Sequence, residues 1–534
     1  MDQDGHSSWL DLFAKTSMDK SVPVSLPNPE HTNKELEPVA AGFGASARSA
    51  VIWNTGFTVF RDLLQFVLML ILVRLIPPAA YGQFGLVNSV TAFIMVFSFN
   101  NFVAYTLQVK RDEDLHYQEH FTAGGFLQFG AFLLTNIVAI VVRWIPSYAP
   151  IAPLLHVMSL TFLLDWPCQF CCRMLEREFD WRTLRLAHAS GLILTAILAV
   201  VMARLGFGAY ALLVPGMLVT LPFTIHLFFI RKWRPTWIFS WAAYRPAWSF
   251  GIHRTASGGI QNARQVSEAL VLSALLGFAG LGIFNRAIAL ATMFCTRFSI
   301  QLMSSLYPVL TRLEKEDGKA GRAGDLILRL VAWTTIPVAL AFSLLAEPII
   351  RTIYGTKWLA AVPFLPYAMV LGVATAITQA EYMLLLSRQE PRKCVLADIF
   401  LFAGTALSLL MLLRFSATVY LFCLGLVQIA VAGIVLVWLH GCAATTVAGI
   451  RSAFLPALAA AFVSAGVALG VRRLLENAAP WVIALGAGIV LVATYAACLR
   501  LVFAPRVAEL VRYFPGASLV ERMLFLRAAP TAST

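Results

Sequence analysis

Charge is what this chain has least of. Asp, Glu, Lys and Arg make up 13% of its 534 residues, where a soluble domain carries about 25%. Hydrophobic residues reach 59% and the mean hydropathy is +0.75, which excludes an ordinary water-soluble fold. Strict apolar/polar alternation over short segments is missing too, so a membrane β-barrel is excluded. The eight cysteines fall mostly inside hydrophobic stretches and outline no disulfide framework. Cys168, Cys171 and Cys172 are their one cluster, and no His or second cysteine pair nearby completes a four-ligand metal site. Catalytic signatures are missing as well: the chain has no Walker loop, no H-E-x-x-H and no G-x-S-x-G. ATP-driven pumping and the familiar hydrolases lose support, and no enzyme activity is expected. Residues 1–48 lack the basic start, apolar run and cleavage site of a signal peptide and read as a disordered cytoplasmic tail, with a weak amphipathic patch at Trp9, Leu10, Leu12 and Phe13.

What is present is about fourteen apolar stretches, most near the twenty residues that a helix needs to span a bilayer. They run at 50–73, 82–108, 121–142, 149–172, 186–203, 208–230, 249–276, 281–310, 327–347, 359–386, 394–413, 417–440, 452–471 and 480–503. With the amino terminus inside, tails and inward loops hold about 26 Lys and Arg and outward connections about 8, the asymmetry of the positive-inside rule. Both termini are therefore expected to be cytoplasmic. The net charge of +13 becomes a topology signal against anionic lipids, and a nucleic-acid role is needless.

Two halves look related. Tyr81-Gly82-Gln83-Phe84 opens the second stretch and Leu281-Gly282-Ile283-Phe284 the eighth; charged loops follow at Lys110–Glu119 and Arg312–Asp325. Basic loops then match at Arg173–Arg185 and Arg388–Lys393. The fold class expected is an all-α polytopic membrane protein with two six-helix lobes as parallel repeats around a central cavity. Its divisions are 1–48 (tail), 49–231 (first lobe), 232–440 (second lobe), 441–504 (helices thirteen and fourteen) and 505–534 (cytoplasmic tail).

Basic residues inside spans are few. Arg329 and Arg500 lie near helix ends and can snorkel. Arg61, Arg254, Arg264, Arg286 and Arg297 lie deeper, where lipid exposure costs roughly 2.5–3.5 kcal/mol, so they should face protein or a wet cavity. Helical spacing places Asn54, Thr58, Arg61 and Gln65 on one stripe with Asp62 beside it; Asn88, Thr91, Ser98, Asn101 and Tyr105 on another; His253, Ser257, Gln261, Arg264 and Glu268 on a third. Arg286, Arg297 and Ser304 share a fourth. Such stripes are either packing seams or the wall of a cavity. Five arginines against Asp62 and Glu268 favour the cavity, and an Arg-lined cavity suits a phosphate-bearing ligand. The candidate ligand-binding residues are Arg61, Arg264, Arg286, Arg297, Gln65, Gln261 and Asn88. Asp62, Glu268, Asp165 and Glu381 are candidates for a coupling ion, although pairing of Asp165 and Glu381 with loop arginines such as Arg173 or Arg388 is the plainer expectation. No metal site is expected.

The run FRDLLQFVLMLILVRLIPPAAYGQFGL at 60–86 resembles the first-helix signature of Wzx-type polysaccharide flippases in the multidrug/oligosaccharidyl-lipid/polysaccharide exporter superfamily. CCRMLEREFDWRTL (171–184), GFGAYALLVPG (206–216), LGFAGLGIFNRAIAL (276–290), LYPVLTRL (306–313) and PIIRTIYGTKWLAAVPFL (348–365) resemble the same family in the same order. The resemblance implies two six-helix lobes in a V, alternating access, and an oligosaccharide on undecaprenyl diphosphate as the cargo moved between leaflets of a bacterial inner membrane. It also implies cationic cavity residues, no cofactor, and an ion gradient or membrane potential as drive. Polysaccharide polymerase and chain-length regulator are implied pathway partners. The nearest alternative is an ion-coupled multidrug antiporter of the same fold, whose cavity should be acidic or aromatic rather than basic.

Overall fold

The structure, a computed structural model, describes residues 29–107, 109, 116–297, 299–300, 303, 320–388 and 390–511; the side chains at 29–51, 253, 254, 256, 257, 320, 510 and 511 are outside that description. Among the described residues the regular structure is entirely helical. The chain divides into two units, Met1–Gly56 and Phe57–Thr534.

The first helix, α1 (Pro29–Leu75), begins about twenty residues earlier than expected, inside the segment read as a disordered tail. Its early turns carry several Ala and Glu, good helix formers, and Pro29 stands at the first position, where its missing N–H costs nothing. Then come α2 (Pro78–Met95), α3 (Asn100–Val103) running into a 3-10 turn at Ala104–Leu107, α4 (Tyr117–Arg143), α5 (Ala152–Arg177), α6 (Trp181–Arg204), α7 (Tyr210–Leu218) and α8 (Leu221–Ile225). The second half holds α9 (Trp241–Ala291), α10 (Ala320–Leu344), α11 (Ala346–Ile353), a 3-10 stretch Thr356–Phe364, α12 (Leu365–Ser387), α13 (Pro391–Leu412) and α14 (Ala417–Gly441). Helices α15 (Val447–Leu474) and α16 (Pro480–Val511) close the chain.

Among the described residues twelve helices are long and apolar enough to span a membrane, or thirteen when α2 and α3, bent by 49°, count as one broken span. That differs from the fourteen expected. The seventh and eighth stretches count there as one because α9 is two helices joined across a kink at Gly277, whose φ of 69° and ψ of 177° a residue with a side chain rarely adopts. Large apolar side chains such as Phe462, Leu474, Leu501 and Ile489 stand exposed all round the bundle, as a lipid-facing surface requires.

Helix ends are fixed by local chemistry. The Asp180 carboxylate accepts the Thr183 N–H at 3.1 Å and starts α6. Asp325 on α10 takes both the N–H and the hydroxyl of Thr446 (2.9 and 2.8 Å), and Thr446 in turn caps α15 through Gly449 N–H. Arg329 was expected to snorkel; it is instead 6% exposed and bonds Glu509 (2.6 Å) and Ser452 (2.9 Å), fastening α15 and α16 to α10.

The apolar core shows how the halves meet. One large cluster draws on both, from Leu72, Tyr81 and Leu155 to Phe284, Trp358 and Tyr420. Separate clusters then belong to one half each: Phe99, Phe121, Cys171 and Phe223 in the first, Leu328, Ala380, Ala397 and Val435 in the second. At the centre of the shared cluster α2 crosses α9 in close backbone contact. A Cβ on Gly82 would lie 3.0 Å from the Gly282 nitrogen and run into the Phe278 carbonyl; one on Gly282 would lie 2.9 Å from the Gly82 nitrogen. The glycines of the two matched motifs thus touch each other. The tight approach explains why both are glycine.

Candidate functional site: a cationic junction between the halves

At the shared end, residues of the two halves lock together. Arg74, at the last turn of α1, donates its guanidinium to the carbonyls of Thr352 and Ile353 (Nε to Ile353 O, 3.4 Å). These carbonyls end α11 and have no partner within the helix, and a cation there meets the negative end of the helix dipole. Trp358 Nε1 donates to Val73 O at 2.8 Å, and Lys357 Nζ to Arg74 O at 3.4 Å. Tyr81 lies between Trp358, edge to face at 5.4 Å, and the Arg286 guanidinium, 4.5 Å from its ring centroid. Arg286 is thus held against Tyr81, with its Nε buried, where α2, α9 and the 3-10 stretch meet. Arg74, Tyr81 and Trp358 were not foreseen, because a lone Arg at a helix end reads as a snorkelling residue and the aromatics as core.

The stripe on α9 also resolves differently from the expectation. Gln261 donates to Asp398 on α13 (3.0 Å), which accepts Tyr382 Oη as well (2.9 Å). Glu268 accepts Tyr420 Oη from α14 at 2.8 Å and pairs loosely with Arg264 at 3.9 Å. Gln261 and Glu268 thus form a hydrogen-bonded seam within the second half. The Arg264 guanidinium is left one-third exposed beside it. His253, Arg254 and Ser257 have side chains outside the described residues, as does all of Ser304.

Arg297 is exposed and reaches across the junction to Gln65 of α1 at 3.4 Å, a long bond that leaves most of its donors available. Arg61 pairs with its neighbour Asp62 at 2.9 Å, both side chains 40% or more exposed. One turn before it, Phe57 receives the Arg185 guanidinium of α6 over its ring at 5.2 Å. Asn88 is exposed and makes no side-chain hydrogen bond among the described residues. The structure brings Arg297 to Gln65, and Arg264 to Glu268. It leaves Arg61 with Asp62 on α1.

The buried carboxyls do not pair with loop arginines. Asp165 accepts Asn100 Nδ2 (3.2 Å) and Gln169 Nε2 (3.1 Å), while Arg173 pairs with Glu176 on its own helix. Glu381 is fully buried with neither carboxyl oxygen partnered among the described residues. An isolated carboxylate is too costly to hold charged in such surroundings.

At the loop joining α5 to α6, Glu178 takes a two-pronged bond from Arg231, one prong 2.7 Å. The Glu178 carboxylate lifts Arg231 above its ordinary range. Burial by itself raises Asp180, but the Thr183 bonds and the charges of Arg231 and His226 outweigh it and hold the carboxyl below its usual value. No group of three or more His, Cys, Asp or Glu able to hold a metal occurs among the described residues.

A groove of about 500 Å³ lies between α2, α9 and α13, walled by Phe93, Phe97, Ile252, Ile260, Ile399 and Phe402. Its lining is nearly all apolar, so the groove and the guanidinium groups are distinct features with different ligand chemistry.

Comparison with known proteins gives these features a context. The chain is 22% identical over 159 residues to the teichuronic acid biosynthesis protein TuaB of Bacillus subtilis (strain 168), covering 30% of this chain and 33% of that protein. It is 23% identical over 350 residues to the lipopolysaccharide biosynthesis protein WzxC of Escherichia coli (strain K12), covering 64% of this chain and 70% of that one. The lipid II flippase MurJ, solved in an inward closed conformation, superposes with a TM-score of 0.63 at 12% identity, covering 86% of this chain and all of that one; the likeness is one of fold. Residues 71–363 match the model of a family described as polysaccharide biosynthesis protein, more than half of the sequence, and the chain belongs to that family.

Proposed function

We propose that the chain moves an undecaprenyl-diphosphate-linked oligosaccharide from the inner to the outer leaflet of a bacterial cytoplasmic membrane, by alternating access and without covalent chemistry. The observation that carries this reading is the family match over residues 71–363, on a fold shared along the whole length of a lipid flippase.

The physical argument is one of charge. A diphosphate cannot enter hydrocarbon bare, since burying unpaired charge costs many kcal/mol, and guanidinium groups replace its hydration with matched donors. Arg297 and Arg264 are the groups left accessible for that purpose, with Arg61 and Gln65 on the facing helix. The groove lined by Phe93, Phe97, Ile260 and Phe402 suits the polyprenyl chain. In this reading both termini are cytoplasmic, the Arg74–Tyr81–Arg286–Trp358 seal closes the outward mouth, and an ion gradient or the membrane potential drives the cycle. The delivered unit then serves a polymerase and chain-length regulator outside.

The test is lipid-linked oligosaccharide accumulation in cells carrying the parent, Arg297→Ala, Arg264→Ala or Arg297→Lys at equal membrane level. The expected result is stranding on the inner leaflet in both alanine variants and partial export with Lys. Normal export by every variant would remove the arginines from the mechanism. A deletion that strands no lipid-linked sugar would overturn the function itself.

A further inference from the structure

The segment joining the halves, residues 231–250 (RKWRPTWIFSWAAYRPAWSF), carries four of the chain's thirteen Trp and four Lys or Arg, with no Asp or Glu. It lies outside the apolar spans, which stop at Ile230 and resume at Gly258. A hydrocarbon-facing span therefore does not account for its exposed rings: Trp237 is 60% exposed, Phe239 48% and Trp241 52%. Nor is the segment loose. The Gln118 side chain of α4 clasps its backbone, donating to Arg234 O at 3.0 Å and accepting the Thr236 N–H at 2.9 Å. Trp233 packs on Phe121 and Phe170 of the first half, with ring centroids 4.6 and 5.0 Å apart. Next to these holds Trp237 keeps a left-handed backbone (φ 55°), which a residue with a side chain seldom adopts.

Its cations are set against this backing. Arg231 is spent on Glu178. Lys232 and Arg234 flank the half-buried Trp233 and are exposed, the alternation of an extended chain with one side packed on protein. Arg245 is exposed on α9, one turn after Trp241 and on the same face. None of these three forms an ion pair among the described residues. Trp241 rests against Trp248 (6.0 Å), which stacks on Phe102 of α3 (5.1 Å, 18° between planes). Exposed rings and exposed cations thus occur together, beyond the ends of the spans, on a segment that the first half holds in place.

We propose that this connector is a docking site for anionic phospholipid, whose phosphodiester Lys232, Arg234 and Arg245 grip while Trp237, Phe239 and Trp241 enter the boundary between headgroups and acyl chains. Indole and phenyl rings settle at that depth, and basic residues beside it attract anionic lipid. Ammonium and guanidinium groups give a phosphodiester charge-assisted bonds. A zwitterionic lipid would match the rings and leave the cations uncompensated, since the segment supplies no acid of its own. The lipid would sit at the joint between the halves, where the connector passes from the Gln118 clasp into α9. The site rests on the chain lying in a membrane and not on the flippase reading.

The test is native mass spectrometry of the full-length protein in detergent, titrated with phosphatidylglycerol or with phosphatidylcholine of the same acyl chains. The parent should retain phosphatidylglycerol in preference. The triple variant Lys232→Gln, Arg234→Gln, Arg245→Gln should bind it at least about tenfold more weakly and lose the preference. Trp241→Ser should weaken both lipids alike. The control is Arg322→Gln, Arg392→Gln, Arg451→Gln, which removes the same charge from exposed positions at the starts of α10, α13 and α15 and should bind as the parent does. No preference in the parent, unchanged affinity in a first triple that elutes as a folded monodisperse protein, or equal loss in both triples would overturn the site, the last by showing a general effect of basic residues. Each of these results leaves the export test above unaffected, so failure of the site and failure of the flippase reading are separable.

Discussion

Replacing Gly82 with Ala tests the crossing of α2 and α9 most directly. The added Cβ would collide with the Phe278 carbonyl and stand 3.0 Å from the Gly282 nitrogen, where ordinary contact begins at 3.4 Å. Both obstacles are backbone, which cannot swing aside as a side chain does, so the helices must separate. Overpacking of this kind costs about 1–3 kcal/mol. In the proposed cycle the crossing parts as the seal opens, so that cost falls on the sealed conformation and shifts the equilibrium towards opening by about 5- to 140-fold. The assay is reaction of an impermeant maleimide with Ala361→Cys, a fully buried position beside the seal, in a background whose eight native cysteines are replaced. Labelling should be slow in that background and faster by the factor above once Gly82→Ala is added. Gly130→Ala is the control: nothing lies within 4 Å of its added Cβ, and it should leave labelling unchanged. Equal labelling with and without Gly82→Ala would show that the crossing does not close the outward mouth.

Three further outcomes are expected. Arg329→Met should lower stability in detergent by about 1.5–3 kcal/mol by removing charged bonds to Glu509 and Ser452, and Glu509→Gln should cost less because Glu509 is 43% exposed; equal melting of all three proteins would contradict this. Glu381→Leu should raise stability by about 1–3 kcal/mol, since an unpartnered buried carboxyl is removed; a fall in denaturation midpoint would reveal a partner. Asp180 has its carboxyl held below the ordinary value, so its contribution is complete above the unfolded value near about 4 and is lost as pH falls through the lowered one. The parent should therefore melt higher than Asp180→Asn at neutral pH and converge with it in acid, and a gap that widens in acid would reverse the sign.

Much of this protein was legible along the chain. Apolar run lengths report each segment's own partition between water and lipid, so the all-helical membrane fold followed from them. The similar helix entries at Gly82 and Gly282 were visible in the sequence, but that the two glycines touch was decided by packing. Which polar residues face which neighbours was not readable, since spacing gives a shared face and says nothing of what that face meets. Arg264 and Arg286 on α9 and Arg297 just beyond its end carry the same charge. Only packing put Arg286 against Tyr81, Arg264 beside Glu268 and Arg297 in the open near Gln65. Likewise Asp165 and Glu381 stood as equals in sequence. The segment after the break at Met95–Asn100 brings an amide to one, while neither oxygen of the other has a partner among the described residues, a difference that only the tertiary structure decided.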